Sequence, residues 1–440
     1  MKAIPLLLAL AGLSAPARIL AAPEAAPPSG RVLGLDEAVK TAEAQQPTAR
    51  QAAAQTEAAR ARVLQARGPL LPQVSGTAAY QRATYNSVTR PGAPLSPSGG
   101  AWWHTANYFN FGLTATQLLY DFGQTTGKWR ASQANAEAQA HTERATRLQV
   151  VLTARTAYFG ARAQKALLQV AREQLENQER HLGQVEGFVK VGTKPEIDLA
   201  QARADRANAR VSLINAENSY ELSKAQLNQA MGVEGSTDYD VADEALPAVE
   251  GESVGADPLV ALALRARPEF AALDQQVRAQ EQTLRSARGA YWPTLGLSTS
   301  LTDAGHKIDH MAWNWNASFT LSWNLFSGLQ TRGLEREASA TLASLRAQRD
   351  ALRLQVRVEV EQARLGVRAA KAALGAAEES LENSRLRLKL AEGRYQTGVG
   401  NIIELGDAQL ALTSSAAQKV QAEFNLASAR AQLLKALGRR

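Results

Sequence analysis

The chain has 440 residues, 45% of them hydrophobic and 21% charged, with a formal net charge of +7 and no cysteine. The missing thiol excludes disulfides, Cys-ligated zinc, a cysteine nucleophile and lipidation on cysteine. Basic residues alternate with acids along helical stretches such as REQLENQER (172–180), a pattern of solvated helix faces that excludes a nucleic-acid patch.

In chain order, Lys2 followed by the apolar run AIPLLLALAGL and Ala-rich cleavage candidates near Ala17 and Ala22 predicts a secretory signal over residues 1–22. A linker follows over 23–34. A helix is expected over 35–66, ended by Gly68 and the prolines of RGPLLP. Period-2 alternation predicts strands over 73–82 and 107–120, where Phe109, Phe111, Leu113 and Ala115 oppose Asn110, Gly112, Thr114 and Thr116. From Gln124 to Lys190 there is no proline, and the Ala-, Gln-, Leu- and Arg-rich composition favours one unbroken helix. At about 1.5 Å per residue it runs about 100 Å. The turn VGTKP (191–195) reverses the chain into a helix over 196–231. Residues 233–256 are too rich in glycine and acid for helix and form an insert.

From 257 the pattern starts again: a helix over 257–288, strands over 294–302 and 312–325, a long helix over 330–396 and a last helix over 403–438. The chain is two copies of one unit, 35–232 and 257–440. Pro47 aligns with Pro268, an offset of 221 (268 − 47), and Arg67-Gly68 with Arg288-Gly289. Beyond the strands the offset becomes 206 (398 − 192) and holds from GQTTG (123–127) to Gly232 and Gly438. The lost residues fall in the Pro-, Gly- and Ser-rich loop 81–104, which the shorter TDAGHKIDH (302–310) replaces as a surface loop. His306, Asp309 and His310 in that loop are read as solvated, and no metal site is assigned. No P-loop, G-x-S-x-G or H-E-x-x-H motif is present, so no enzyme and no cofactor is expected.

The stretch WNWNASFTLSWNLF (313–326) sets Trp313, Trp315, Phe319, Leu321 and Trp323 on one face. Asn314, Asn316, Ser318, Thr320 and Ser322 stand on the other. A soluble sandwich face would show the same alternation, but it would not explain a helix about 100 Å long attached to each strand pair. Lipid against the tryptophans and water against the amides accounts for both. Four strands cannot close a barrel alone, since single-chain outer-membrane barrels start at about eight. Unpaired edges in lipid cost several kcal/mol per group. Several copies must therefore share one barrel.

These features, together with the helix-turn motifs GFVKVGTKPEIDLAQA (187–202) and GRYQTGVGNIIELGDAQ (393–409), resemble the outer-membrane efflux protein family, the TolC-like channels of tripartite pumps and type I secretion. The resemblance implies an α+β membrane protein: a homotrimer with a 12-stranded transmembrane β-barrel, four strands per chain, continuous with a periplasmic α-helical barrel. It implies a passive exit duct in the cell outer membrane, served by a periplasmic adaptor protein and an inner-membrane pump. By position, Tyr395 matches the family's gate tyrosine and Asp198 its acidic partner, while Glu404 and Asp407 match the acids that ring the constriction. At Gly400 the family's gate has an arginine; Lys194 in the other turn is the candidate substitute. Val191, Gly192 and Thr193, with Thr397, Gly398 and Val399, resemble the adaptor-docking turns. Two other classes compete. A periplasmic adaptor has long helical hairpins but lacks duplicated strand pairs, and a coiled-coil stalk needs sustained heptads without a duplication. The cargo is not legible.

Overall fold

A computed structural model describes residues 30–85, 104–252 and 255–440. The signal segment 1–22 lies outside the described residues, as does most of the loop between the first two strands. Within the expected linker 23–34, Arg31–Leu33 forms a short strand, β1.

The expected helix 35–66 is two helices, α1 (Leu35–Gln45) and α2 (Pro47–Arg67). The expected helix 257–288 is likewise split into α5 (Ala256–Ala266) and α6 (Pro268–Gly289). The residue before each proline is extended, Gln46 at ψ 122° and Arg267 at ψ 122°. Proline's ring disfavours the helical region for its predecessor and its nitrogen has no proton to donate. The long helices are unbroken: α3 (Gln124–Lys190) and α7 (Gln330–Gln396) have 67 residues each. They are followed by α4 (Glu196–Met231) and α8 (Ile402–Ala436). α3 packs against α4 over one half and against α6 and α2 over the other, and α7 against α8 and α6 likewise.

The strands are longer than the alternation alone marks: β2 (Gln73–Tyr85), β3 (His104–Tyr120), β5 (Thr294–Lys307) and β6 (His310–Ser322). The presumed surface loop 302–310 is therefore mostly strand, closed by Ile308 and Asp309 with Lys307 opposite His310. Glycine and polar residues there form a tight hairpin end, not a loop. β6 stops at Ser322, so Trp323 lies just past it, its indole donating to the Tyr291 carbonyl at 3.1 Å. The four strands form one antiparallel sheet in the order β2-β3-β5-β6, leaving β2 and β6 as edges.

Each sheet-to-helix junction needs two left-handed residues in a row. They are Phe122 (φ 51°) and Gly123 (φ 87°) in the first unit, Gly328 (φ 60°) and Leu329 (φ 70°) in the second. Asp121 accepts from the amides of Gly123 at 3.2 Å and Thr125 at 2.6 Å, while its repeat mate Ser327 accepts from Thr331 at 3.4 Å. These side chains satisfy donors that a helix start leaves open.

Halfway along the helices the insert contributes β4 (Tyr239–Val241), paired parallel with β1. Around it sits the largest apolar core, with Leu33, Tyr158, Phe159, Leu227, Met231 and Val241. Tyr158 donates to the Ala242 carbonyl at 2.9 Å, and Glu244 caps α1 by accepting from the Leu35 amide at 3.0 Å. A second contact recurs in both units. Gly232 ends α4 at φ 73° against the α1–α2 break, and Gly438 follows α8 at φ 71° against the α5–α6 break. Gln46 finishes the first of these by donating to the Gln229 and Ala230 carbonyls, both at 3.1 Å.

Candidate functional site

Two regions carry the residues singled out above. The first is the sheet. Its register aligns one face across all four strands: Ala78 opposite Phe111, Phe111 opposite Asp303, Asp303 opposite Trp313. Two residues along, Tyr80 faces Phe109; two the other way, Leu113 faces Leu301 and Leu301 faces Trp315. The alternation seen in each strand thus becomes one largely apolar surface, interrupted by Asp303 and Arg82 toward the hairpin ends. It is open: Trp313 and Phe319 are each 73% exposed, and Trp315, Leu321, Val74 and Leu113 are exposed too. An apolar sheet face of this extent is not left against water in a folded protein. Tyr120, Phe122, Trp292 and Trp323 gather at its helix end, Phe122 stacking on Trp292 at 5.2 Å. Among the described residues no helix is long and apolar enough to cross a membrane.

The second region is the far end of the helices, where the α3–α4 and α7–α8 turns meet. Both turns follow one plan. Gly192 (φ 75°) and Gly398 (φ 80°) take the left-handed position, and the next amides reach back, Thr193 to Phe188 at 2.9 Å and Val399 to Arg394 at 3.0 Å. Val191, Gly192, Thr193, Thr397, Gly398 and Val399 are all exposed, a surface of two similar knuckles.

Behind the knuckles lies a small core of Val185, Ala202, Leu388, Ala391, Leu405 and Tyr395. Tyr395 is 1% exposed, and it closes the gap between the two hairpins. His181 packs edge-on against it at 5.5 Å, Phe188 at 6.4 Å, and Lys194 Nζ lies 4.4 Å from the ring centroid. Lys194 is the repeat mate of Gly400, so the cation over the Tyr395 ring comes from the first turn, while the second has glycine at the matching position. A side chain at 400 would be crowded, since a Cβ there would come within 3.0 Å of the Tyr395 nitrogen.

The expected pairing of Tyr395 with Asp198 is electrostatic only. The Tyr395 hydroxyl is buried without a hydrogen-bond partner, and burial, then the charge of Asp198, pushes its pKa up. Glu404 faces Arg394 at 3.5 Å and its amide is capped by Asn401 Oδ1 at 2.7 Å; Asp407 is exposed. His181 and Arg394 were not singled out in the sequence. Arg394 was findable, standing beside Tyr395 and ten residues before Glu404; nothing local marks His181, whose partner is 214 residues away (395 − 181). Gln178 adds a further tie between hairpins, donating to Gln409 at 2.9 Å.

Burial pushes the His181 imidazole below its ordinary value, against the pull of Asp205 and Asp198. A base whose folded pKa is lowered binds protons more readily when unfolded, so its contribution to stability declines as the pH falls through about 6.5. The tip of the wild-type protein is expected to loosen as the pH falls below about 6.5, read as faster hydrogen exchange of the Leu182–Val189 amides. His181→Phe should flatten that dependence. An unchanged slope in the variant would place the titrating group elsewhere.

Both strand-helix seams also depend on glycine, and here the two units differ. Inside the chain, a Cβ on Gly127 would come within 2.9 Å of Ser286, and one on Gly289 within 3.0 Å of the Gln124 backbone. These two glycines let α3 and α6 touch. Their repeat mates are Gly333 (127 + 206) and Gly68 (289 − 221), and a Cβ on either meets nothing within 4 Å.

The profile of the family described as "Outer membrane efflux protein" matches residues 38–233 and 259–439. The probable efflux pump outer membrane protein SepC of Pseudomonas putida is 26% identical over 402 residues, spanning 88% of this chain and 80% of that one. The cation efflux system protein CusC of Escherichia coli is 23% identical over 325 residues, 70% of this chain and 68% of its own. Among solved structures, the outer membrane protein VceC of Vibrio cholerae superposes with a TM-score of 0.81 at 19% identity, covering 92% of this chain and 96% of its own. A membrane protein from Pseudomonas aeruginosa gives 0.81 at 20% identity, covering 92% and 90%. Adaptor and stalk readings fall away with these matches: the chain belongs to the outer membrane efflux protein family, whose members are transport ducts of the outer membrane and not enzymes.

Proposed function

We propose that three copies of this chain form the passive exit duct of a tripartite export system, with the strands closing a 12-stranded barrel and the helices a tunnel across the periplasm. The observation that carries this reading is the pair of vacant glycines, Gly68 and Gly333. They reproduce the two close-contact glycines of the seam inside the chain, and their contacts are supplied when the second unit of one copy meets the first unit of the next. The sheet edges support it. In an antiparallel four-stranded sheet, β6 of one copy runs antiparallel to β2 of the next, so closure needs no reversal. Closure also removes the unpaired edges that lipid does not tolerate. Lipid then covers the Trp313, Trp315, Phe319, Leu321 and Trp323 side, with the aromatic cluster at the helix end meeting the membrane–water interface.

At the tip, Tyr395 and Lys194 hold the two hairpins together within each chain, and Arg394 with Glu404 braces the second turn. Asp198, Glu404 and Asp407, repeated three times, ring the narrow end with negative charge. The knuckles at 191–193 and 397–399 receive a periplasmic adaptor, which connects to the inner-membrane pump that supplies the energy.

The test is conductance of the mature protein, extracted in mild detergent as a trimer and placed in planar bilayers. Lys194→Ala removes a cation–π contact of about 0.5–1 kcal/mol, so the open-to-closed ratio should rise roughly two- to fivefold. A monomeric, water-soluble protein that forms no channels would overturn the duct reading; channels unchanged by Lys194→Ala would overturn the gate assignment alone.

A further inference from the structure

Resting on that assembly, we infer that the barrel section of this duct does not sort cargo by charge, so that neutral, cationic and anionic small molecules cross it alike and any charge selection is made nearer the tip. The polar face of the sheet carries the argument. Over Gln73 to Ala79 on β2, and over its partner rows Thr116 to Asn110 on β3, Ser298 to Ala304 on β5 and Ser318 to Ala312 on β6, that face holds only glycine, alanine, serine, threonine, asparagine and glutamine, bounded by Leu118 on the helix side and Tyr108 on the hairpin side. Seven residues of strand span about 24 Å at about 3.4 Å each, so the uncharged wall is a substantial part of the bore.

The charged residues of the strands are placed elsewhere. Arg82 and Asp303 share the apolar face with Tyr80 and Trp313, toward the hairpin ends, where headgroups would meet them. Lys307 and His310 sit at the hairpin end itself, and His306, on the polar face, lies there too, edge-on to Tyr108 and beyond the uncharged rows. The wall residues also satisfy one another: Ser298 and Ser318 hydroxyls lie 3.1 Å apart, and Ser300 donates to Asn316 Oδ1 at 2.8 Å. A lining of short, mutually bonded hydroxyls and amides leaves the bore wide and presents no fixed charge to focus a field. Channels that select among ions do so with rings of charged side chains or converging carbonyls, and this wall has neither. The contrast with the tip, where Asp198, Glu404 and Asp407 converge, assigns the two ends different tasks.

Because the chain has no cysteine, one introduced thiol reports alone. The full-length trimer carrying Ser298→Cys is reconstituted in vesicles and treated with a cationic and an anionic methanethiosulfonate of similar size. The expected result is modification by both, with a rate ratio within about threefold of that of a free thiol in solution. One unit charge per chain near the position, repeated three times at about 10 Å, would bias each reagent roughly tenfold. A ratio displaced by tenfold or more overturns the inference while leaving the duct intact. Exclusion of both reagents from Ser298→Cys, with ready modification of Leu297→Cys on the opposite face, overturns the orientation of the sheet and the duct reading with it.

Discussion

Gly333→Phe should leave the chain folded and abolish the trimer. Gly333 lies in the first turn of α7, where phenylalanine is a better helix former than glycine by about 0.5 kcal/mol, and within the chain a side chain there meets nothing. In the proposed assembly the same side chain would drive into Gln65 of the partner subunit, as a side chain on Gly127 would drive into Ser286. Helix–helix contacts made through glycine have no room for a ring, and overpacking of this kind costs about 1–3 kcal/mol at each of three symmetric seams. Circular dichroism should therefore show undiminished helix while light scattering, corrected for detergent, shows a monomer. The internal counterpart Gly127→Phe should instead lose the native fold, because its seam lies within one chain. A trimer of ordinary stability from Gly333→Phe would mean that the vacancy at Gly333 is not filled by a neighbour.

Gly232→Ala should be among the most destabilising single-methyl additions in the chain. Gly232 holds φ 73°, and a Cβ would stand 2.7 Å from the Gln46 Cα. Left-handed backbone costs a non-glycine residue about 1–2 kcal/mol and overpacking about 1–3 kcal/mol more, so a loss of about 2–5 kcal/mol is expected in urea unfolding. Gly192→Ala provides the control, since Gly192 has φ 75° but open space around it. It should lose only the backbone share, about 1–2 kcal/mol. Equal losses at the two positions would show that the approach of α4 to the α1–α2 break is not tight. Gly438→Ala, facing the Ala266 carbonyl carbon at 2.9 Å, should behave like Gly232→Ala.

Much of this architecture was legible because it rests on periodicity and repetition. Sixty-seven residues without proline read as one helix, and alternating tryptophan and asparagine read as a strand with two different surroundings. The duplication was legible in Pro47 and Pro268, whereas the helix break before each proline emerges only in the structure. The hairpin end at 306–310 was misread because glycine, lysine and aspartate look like a loop when the pairing partner is not known. Contacts at long range were hidden altogether. His181 meets Tyr395 only because two hairpins of equal length end at the same level, and Gly127 meets Ser286 only after the sheet folds back. The pairing of β1 with β4 was likewise invisible, because three-residue strands carry too little pattern.

In the proposed trimer the second unit of one copy adjoins the first unit of the next in the geometry seen inside the chain. Thr114 pairs with Ser300 across β3 and β5. Shifted by the repeat offsets, that pair becomes Thr320 (114 + 206) opposite Ala79 (300 − 221) of the partner subunit. The double variant Ala79→Cys with Thr320→Cys, in a chain that otherwise lacks cysteine, is oxidised in the membrane and run under denaturing, non-reducing conditions. The account predicts a ladder ending at the covalent trimer, absent from either single variant and from Ala79→Cys with Phe319→Cys, whose side chains point to opposite faces. A chain that stays monomeric under oxidation, while a Thr114→Cys, Ser300→Cys control closes its own disulfide, would contradict it.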